Sequence, residues 1–303
     1  MTRFDSYSIA VIGLGSMGMG VARSCIRAGL NTAGIDINPV ALDTLKTFGA
    51  ANVSQTGLEF ADQLDAVVVL VVNDAQAQAA LLDSGLAERL QPHTPIMVSC
   101  TQSAQSACTL SEKLRKHELP MLDAPVSGGA TKAQQGTLTV MASGSETTFG
   151  RLQPVLKAIA EKVYRIGPEI GQGSSVKVIH QLLAGVHIAA AAEAMALAAR
   201  ANIPLETLYD VVTHAAGNSW MFEDRMKDVL EGDYSPRSTV DIFVKDLGLV
   251  SDMARSLRFP TPLGSAALNL FINVSNSGHG QENDSAVIKG FHDINLPCKE
   301  PAV

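Results

Sequence analysis

Short apolar runs separated by amphipathic stretches mark the first half of the chain. They are SIAVIG (Ser8–Gly13), TAGID (Thr32–Asp36), DAVVVLVV (Asp65–Val72), PIMVSC (Pro95–Cys100), MLDAPV (Met121–Val126), GTLTVMAS (Gly136–Ser143) and KVYRIG (Lys162–Gly167). The run from Ala66 to Val72 is continuous rather than alternating, as in a strand covered on both faces. Strands of that kind alternating with helical stretches predict a doubly wound, Rossmann-like α/β domain over residues 1–168. After GPEIGQGS the pattern changes, and the chain from Ser174 to Ile203 is helix-forming over nearly thirty residues. Helical spacing continues to the end, broken by turns such as EGDYSP and RFPTP. Residues 169–303 are therefore expected to be all-helical, opening on a long interdomain helix. The alanine run 189–192 permits close helix packing on that helix. Its close-packing face exceeds the needs of one small domain and points to a homodimer or homotetramer.

Composition removes several function classes. With 46% apolar and 17% charged residues over 303 positions, the chain has enough apolar side chain for two cores and too much for disorder. A net charge of −7 argues against a general nucleic-acid or anionic-membrane binder, which needs a basic face. The N-terminal MTRFDSYSIAVIG has neither a signal-peptide nor a transit-peptide pattern, and a cytoplasmic location is expected. Cys25, Cys100, Cys108 and Cys298 show no zinc spacing, so reduced packing thiols are expected. No HxxH, HExxH or clustered carboxylate spacing suggests a metal site.

The sharpest chemical signal follows the first apolar run. Gly13, Gly15 and Gly18 form G-x-G-x-x-G between a predicted strand and a helical pattern ending near Gly29. In a dinucleotide site the first glycine makes a tight turn, the second admits a pyrophosphate, and the third lets helix and strand approach. Leu14, Ser16 and Met17 complete that loop, whose N–H groups lie at a helix N-terminus suited to phosphate. A glycine-rich turn that binds nothing is the competing reading of the pattern taken alone. The context favours the nucleotide: TAGID ends in Asp36, 18 residues past Gly18, where a carboxylate can accept hydrogen bonds from a ribose. That charge would repel a 2′-phosphate and no arginine stands beside it in DINPVA, so NAD is expected over NADP.

Four segments in order, GLGSMGMG, LDAPVSGG, GQGSSVKVIHQLL and KDLGLV, resemble the β-hydroxyacid dehydrogenase (3-hydroxyisobutyrate dehydrogenase-like) family over nearly the whole chain. The resemblance implies NAD-dependent oxidation of a small hydroxy acid. Within the family, KVIHQLLAGVHIAAAAEAMALAARA and AAGNSWMFEDRM are most similar to members that convert L-threonate to 2-dehydro-L-erythronate. Acids such as 3-hydroxyisobutyrate or D-glycerate, and a non-catalytic dinucleotide-binding module, are the alternatives.

Residue by residue, the resemblance implies that Ser127, Gly128 and Gly129 approach the substrate carboxylate. A serine before two glycines can also present a hydroxyl and bare N–H groups to an anion, or simply make a tight turn. The family's catalytic lysine matches Lys177. Read from the residues alone, Lys177 between Val176 and Val178 is equally a snorkelling surface lysine or a proton-transfer group, since burial lowers an ammonium pKa. Where the family usually has asparagine four residues later, this chain has Gln181, on the same helix face as Lys177 and longer. That departure puts the usual substrate contact in doubt and bears on which acid is selected. Val72, Asn73 and Thr101 fall at predicted strand C-termini, where open α/β sheets bind ligands. Lys245 matches a family lysine that reaches the cofactor, and is otherwise a solvated helix residue.

Overall fold

The computed structural model describes residues 7–298. Residues 1–6 and 299–303, the outer ends of the expected domains 1–168 and 169–303, lie outside the described residues. The chain divides into two compact units, Met1–Lys177 and Val178–Val303. The division falls inside the long helix, beyond the expected boundary at Pro168.

Among the described residues the first unit contains nine strands: β1 (Ser8–Ile12), β2 (Asn31–Ile35), β3 (Asn52–Ser54), β4 (Ala66–Val69), β5 (Ile96–Val98), β6 (Met121–Asp123), β7 (Val126–Ser127), β8 (Leu138–Ser143) and β9 (Ala160–Gly167). They form one sheet ordered β3-β2-β1-β4-β5-β6-β8-β7, with β9 also paired to β8. The first six in that order are parallel, which is the Rossmann strand order with its reversal between β1 and β4. The far end departs from a parallel sheet, because β8 runs antiparallel to β6 and β7. Seven strands coincide with the apolar runs of the sequence. The other two, β3 and β7, are three and two residues long, too short to carry a periodicity signal.

Alternate residues of β1 enter different cores. Ile9 and Val11 pack in one cluster with Val21 and Cys25 of α1 (Ser16–Arg27), while Ala10 and Ile12 join Leu110 and Leu114 from the other face. Both faces are thus covered, which is why the strands read as unbroken apolar runs. Helices α2 (Pro39–Thr47), α3 (Asp74–Gln78), α4 (Leu86–Arg89), α5 (Ala104–Arg115), α6 (Gly129–Gln135), α7 (Glu146–Arg151) and α8 (Gln153–Ile159) complete the layers, and α9 (Gln172–Arg200) begins here. Strand register sets where chemistry can gather. Ile12 lies opposite Ile35 and Val69, Val69 opposite Val98, and Val98 opposite Asp123. The C-terminal ends of β1, β2, β4, β5 and β6 therefore finish level on one edge of the sheet.

The second unit is helical, with the rest of α9 followed by α10 (Leu205–Thr213), α11 (Trp220–Glu231), α12 (Val240–Ser256) and α13 (Pro262–Val274). Ile188, Ala192 and Met195 of α9 share a core with Phe243 and Leu247 of α12 and Phe271 of α13. Phe243 and Phe271 stack with centroids 5.2 Å apart. Close approach depends on small residues: a Cβ on Gly185 would lie 2.9 Å from the Leu247 side chain. Helix α9 is long and apolar enough to cross a membrane by length and composition, but half of its most apolar window is buried.

Candidate active site

The chain leaves β1 at Ile12 and enters α1 at Ser16, so Gly13, Leu14 and Gly15 make the whole connection. Gly13 has φ +85°, a left-handed conformation that disfavours any side chain. A Cβ on Gly18 would lie 1.7 Å from the Gly13 carbonyl oxygen, so only glycine lets α1 sit this close to its own loop. Gly15 is different. Nothing lies within 4 Å of where its Cβ would stand, and as N-cap it offers no side chain to the first turn of α1. The space beside Gly15 leaves room for a phosphate near the positive end of the α1 dipole. Asp36, directly after β2, accepts from the Leu14 N–H at 2.5 Å and from the Asn38 N–H at 2.8 Å. Its carboxylate is thereby fastened against the glycine loop. Glycines spaced for a pyrophosphate and a carboxylate placed for a ribose fit a dinucleotide.

The same sheet edge carries the next residues. Val72 is half exposed, and its N–H donates to Gln76 Oε1 at 2.9 Å. Asn73 caps α3 by accepting from the Gln76 N–H at 2.9 Å. Thr101 is partly buried in the loop after β5. Beside it is a residue that sequence reasoning passed over: Gln102 is 2% exposed, and neither its amide oxygen nor its nitrogen has a hydrogen-bond partner. The available signal was a polar run, CTQS, at the end of an apolar strand.

Ser127 ends β7 opposite Thr139, and Gly128 and Gly129, with φ +132° and +69°, turn the chain into α6. Lys177 lies in the second turn of α9 and is only 7% exposed, beside Val178 at 3%. It is a buried lysine rather than a snorkelling one. The start of α9 is held by another residue that sequence reasoning missed. Asp123, at the end of β6 and fully buried, accepts from the Ser174 hydroxyl at 2.6 Å, the Ser174 N–H at 2.8 Å and the Gly171 N–H at 3.0 Å. Burial pushes its carboxyl above the usual carboxylate range, against the opposing pull of the bonds from Ser174, Gly171 and Ser143. An aspartate inside the otherwise apolar MLDAPV was the signal for it.

In the second unit the predicted residues gather around a different aspartate. Gln181, 7% exposed, donates from Nε2 to Asp246 Oδ2 at 2.5 Å, and its Oε1 lies 3.0 Å from His180 Nδ1. Lys245 donates to the other oxygen of Asp246 at 2.6 Å. The Gln181 amide is thus engaged inside this unit, as is the ammonium of Lys245. His187 and His214 are exposed, and His214 Nδ1 sits 2.8 Å from the Asp210 carbonyl, a local helix contact. Among the described residues no three His, Cys, Asp or Glu side chains gather as a metal-binding group.

Comparison with known proteins gives consistent matches along the chain. Residues 8–167 match the family model for the NAD binding domain of 6-phosphogluconate dehydrogenase, and residues 171–291 that for the NAD-binding region of NADP-dependent 3-hydroxyisobutyrate dehydrogenase. An L-threonate dehydrogenase of Haemophilus influenzae is 63% identical over 296 residues, covering 97% of this chain and 98% of the relative. The L-threonate dehydrogenase of Escherichia coli K12 is 60% identical over 294 residues, 97% of each chain. A crystal structure described as 3-hydroxyisobutyrate dehydrogenase from Salmonella typhimurium superposes with a TM-score of 0.90 at 61% identity, covering 93% of this chain and 99% of that one.

Proposed function

The chain belongs to the family of 3-hydroxyisobutyrate dehydrogenase-type enzymes, NAD-dependent oxidoreductases acting on the CH–OH group of small hydroxy acids, and we propose that its own substrate is L-threonate, oxidised at C2 to 2-dehydro-L-erythronate. One observation carries this reading: two L-threonate dehydrogenases are 63% and 60% identical to it over nearly their full lengths. The name carried by the Salmonella structure, at 61% identity, favours 3-hydroxyisobutyrate as the second reading.

A bound nicotinamide cofactor would supply the hydride acceptor. The chain supplies the rest. The loop from Gly13 to Gly18 holds the pyrophosphate, Asp36 holds the adenosine ribose and disfavours a 2′-phosphate, and Val72, Asn73, Thr101 and Lys245 serve the nicotinamide half. Ser127, Gly128 and Gly129 orient the substrate carboxylate, with Gln181 selecting among acids. Lys177 takes the hydroxyl proton at its Nζ, and its burial keeps that nitrogen from bulk water. In this reading residues 1–168 form the cofactor domain and 169–303 the substrate and assembly domain. The enzyme works in the cytoplasm as a homodimer or homotetramer, its exposed Ile179, Leu183 and Leu197 on α9 supporting association between copies.

NADH formation from a panel of three- to six-carbon hydroxy acids tests the substrate. We expect kcat/KM for L-threonate to exceed that for 3-hydroxyisobutyrate at least about tenfold, equivalent to about 1.4 kcal/mol in the transition state. Equal efficiency, or preference for the branched acid, would overturn the substrate and leave the family untouched.

A further inference from the structure

We propose that Asp123 is the positioning residue for Lys177, a strand-borne carboxylate that fixes the first turn of α9 and so sets where the reacting nitrogen stands. The proposal rests on the reading of Lys177 as the proton-transfer group.

A helix begins with N–H groups that have no intrahelical partner, and here three of them are taken by the sheet. Gly171 and Ser174 donate to Asp123 Oδ2, and Gly173 donates to Ser143 Oγ at 3.0 Å. Ser143 closes the network with a longer contact to Asp123 at 3.4 Å, and Ser174 adds its hydroxyl to Oδ1. Asp123, Ser143 and Ser174 are all fully buried, so no water competes for these bonds. The seat is also sterically defined. A Cβ on Gly173 would lie 2.6 Å from both the Asp123 and Met141 carbonyl oxygens, so the helix rests directly on β6 and β8. Helix α9 has no acidic residue in its own first turn. The anion facing the positive end of its dipole comes from β6 instead.

Lys177 is three residues past Ser174, about 4.5 Å further along a stiff helix and nearly on the same face. Fixing Gly171, Gly173 and Ser174 therefore fixes the Lys177 backbone in height and rotation. Catalysis is sensitive to such placement, since about 1 Å of misplacement costs on the order of 10²-fold in rate. Serine and asparagine caps hold other helices of this unit, such as the half-buried Ser103 on α5 and the exposed Asn38 on α2. A buried carboxylate bearing three donors is a costlier device, and among the described helices of this unit it caps the one that carries Lys177.

The test is Asp123→Asn made both in the wild-type enzyme and in Lys177→Met, with steady-state kcat on L-threonate and NAD affinity by calorimetry. An asparagine has one acceptor oxygen where three donors converge. We expect kcat to fall about 10- to 100-fold with NAD Kd within twofold of wild type. In the Lys177→Met background the same change should alter the residual kcat by less than twofold, because its effect passes through the lysine. If Asp123→Asn keeps kcat within threefold, or lowers the residual rate of Lys177→Met as much as it lowers wild type, Asp123 does not act by positioning Lys177. If Lys177→Met itself retains more than a tenth of wild-type kcat, it is the reading of the lysine that fails. Should Asp123→Asn not fold, Ser174→Ala removes one bond from the same network, with an expected three- to tenfold loss in kcat, unchanged NAD affinity and the same silence in the Lys177→Met background; equal losses in both backgrounds would contradict the proposal.

Discussion

The two units bring their polar groups together in opposite ways. In Met1–Lys177 the candidate residues lie in short runs at strand ends, Gly13–Gly18, Val72 with Asn73, and Ser127–Gly129; parallel register delivers the first two to one edge, while the third follows β7, which pairs antiparallel with β8. In Val178–Val303 the buried polar pairs reach far along the sequence, Gln181 meeting Asp246 across 65 positions and Arg225 meeting Asp284 across 59, beside neighbours such as Lys245 and Asp246. The cofactor edge of the sheet assembles chemistry from local motifs, whereas buried polar pairs, Gln181 with Asp246 in the helical unit and Asp123 with Ser174 in the sheet unit, join side chains whose partners no local pattern announces. Substitutions should therefore act differently in the two. Changes to a strand-end motif should strike ligand binding at once, and changes to a helical pair should act through packing.

Gly18→Ala should have the largest effect. The new methyl would overlap the Gly13 carbonyl at 1.7 Å, and backbone rather than a flexible side chain must move. We expect NAD Kd to rise at least about 100-fold, or about 2.7 kcal/mol, with stability falling by about 3 kcal/mol. Calorimetric titration showing near wild-type NAD affinity would break the claim that this loop forms the phosphate seat.

Gln181→Leu should come next, and by the other route. It leaves the buried Asp246 with Lys245 but without the amide, a loss of about 1.5–3 kcal/mol for a hydrogen bond to a charged group. Thermal unfolding should report that loss, kcat/KM for L-threonate should fall about tenfold, and NAD Kd should stay within twofold. A drop in NAD affinity as large as the drop in kcat/KM would erase the contrast between the units.

Asp36→Ala should have the smallest effect on overall activity and the clearest on cofactor choice. Removing the carboxylate relieves repulsion of a 2′-phosphate and also frees the Leu14 N–H it binds. The NAD:NADP ratio of kcat/KM should narrow by about tenfold, partly through weaker use of NAD. A wild-type enzyme equally efficient with both cofactors would contradict the role given to Asp36.

How much of this was legible follows from the same contrast. The seven longer strands and the glycine loop could be read because apolar continuity and G-x-G-x-x-G are local signals, and the end of α1 near Gly29, with φ +84°, was marked by its glycine. The reversal at β8 was hidden, since strand direction depends on which neighbour a strand finds and not on its own residues. The Asp123 carboxylate stood in plain view inside an apolar run, but its partner Ser174 is 51 positions away and could not be named. Spacing placed Gln181 on the helix face of Lys177. What spacing could not show is that Asp246 and His180 engage its amide.

The central claim, that Lys177 performs the proton transfer while a separate strand-edge loop holds the cofactor, is tested most directly by Lys177→Met. Methionine suits both the helix and the buried position beside Val178. The measurement is kcat at saturating L-threonate and NAD, set beside NAD affinity on the same preparation. The account predicts a loss of about 10² to 10⁴ in kcat with NAD binding retained. A variant keeping more than a tenth of wild-type kcat would contradict it, leaving Lys177 a buried packing residue.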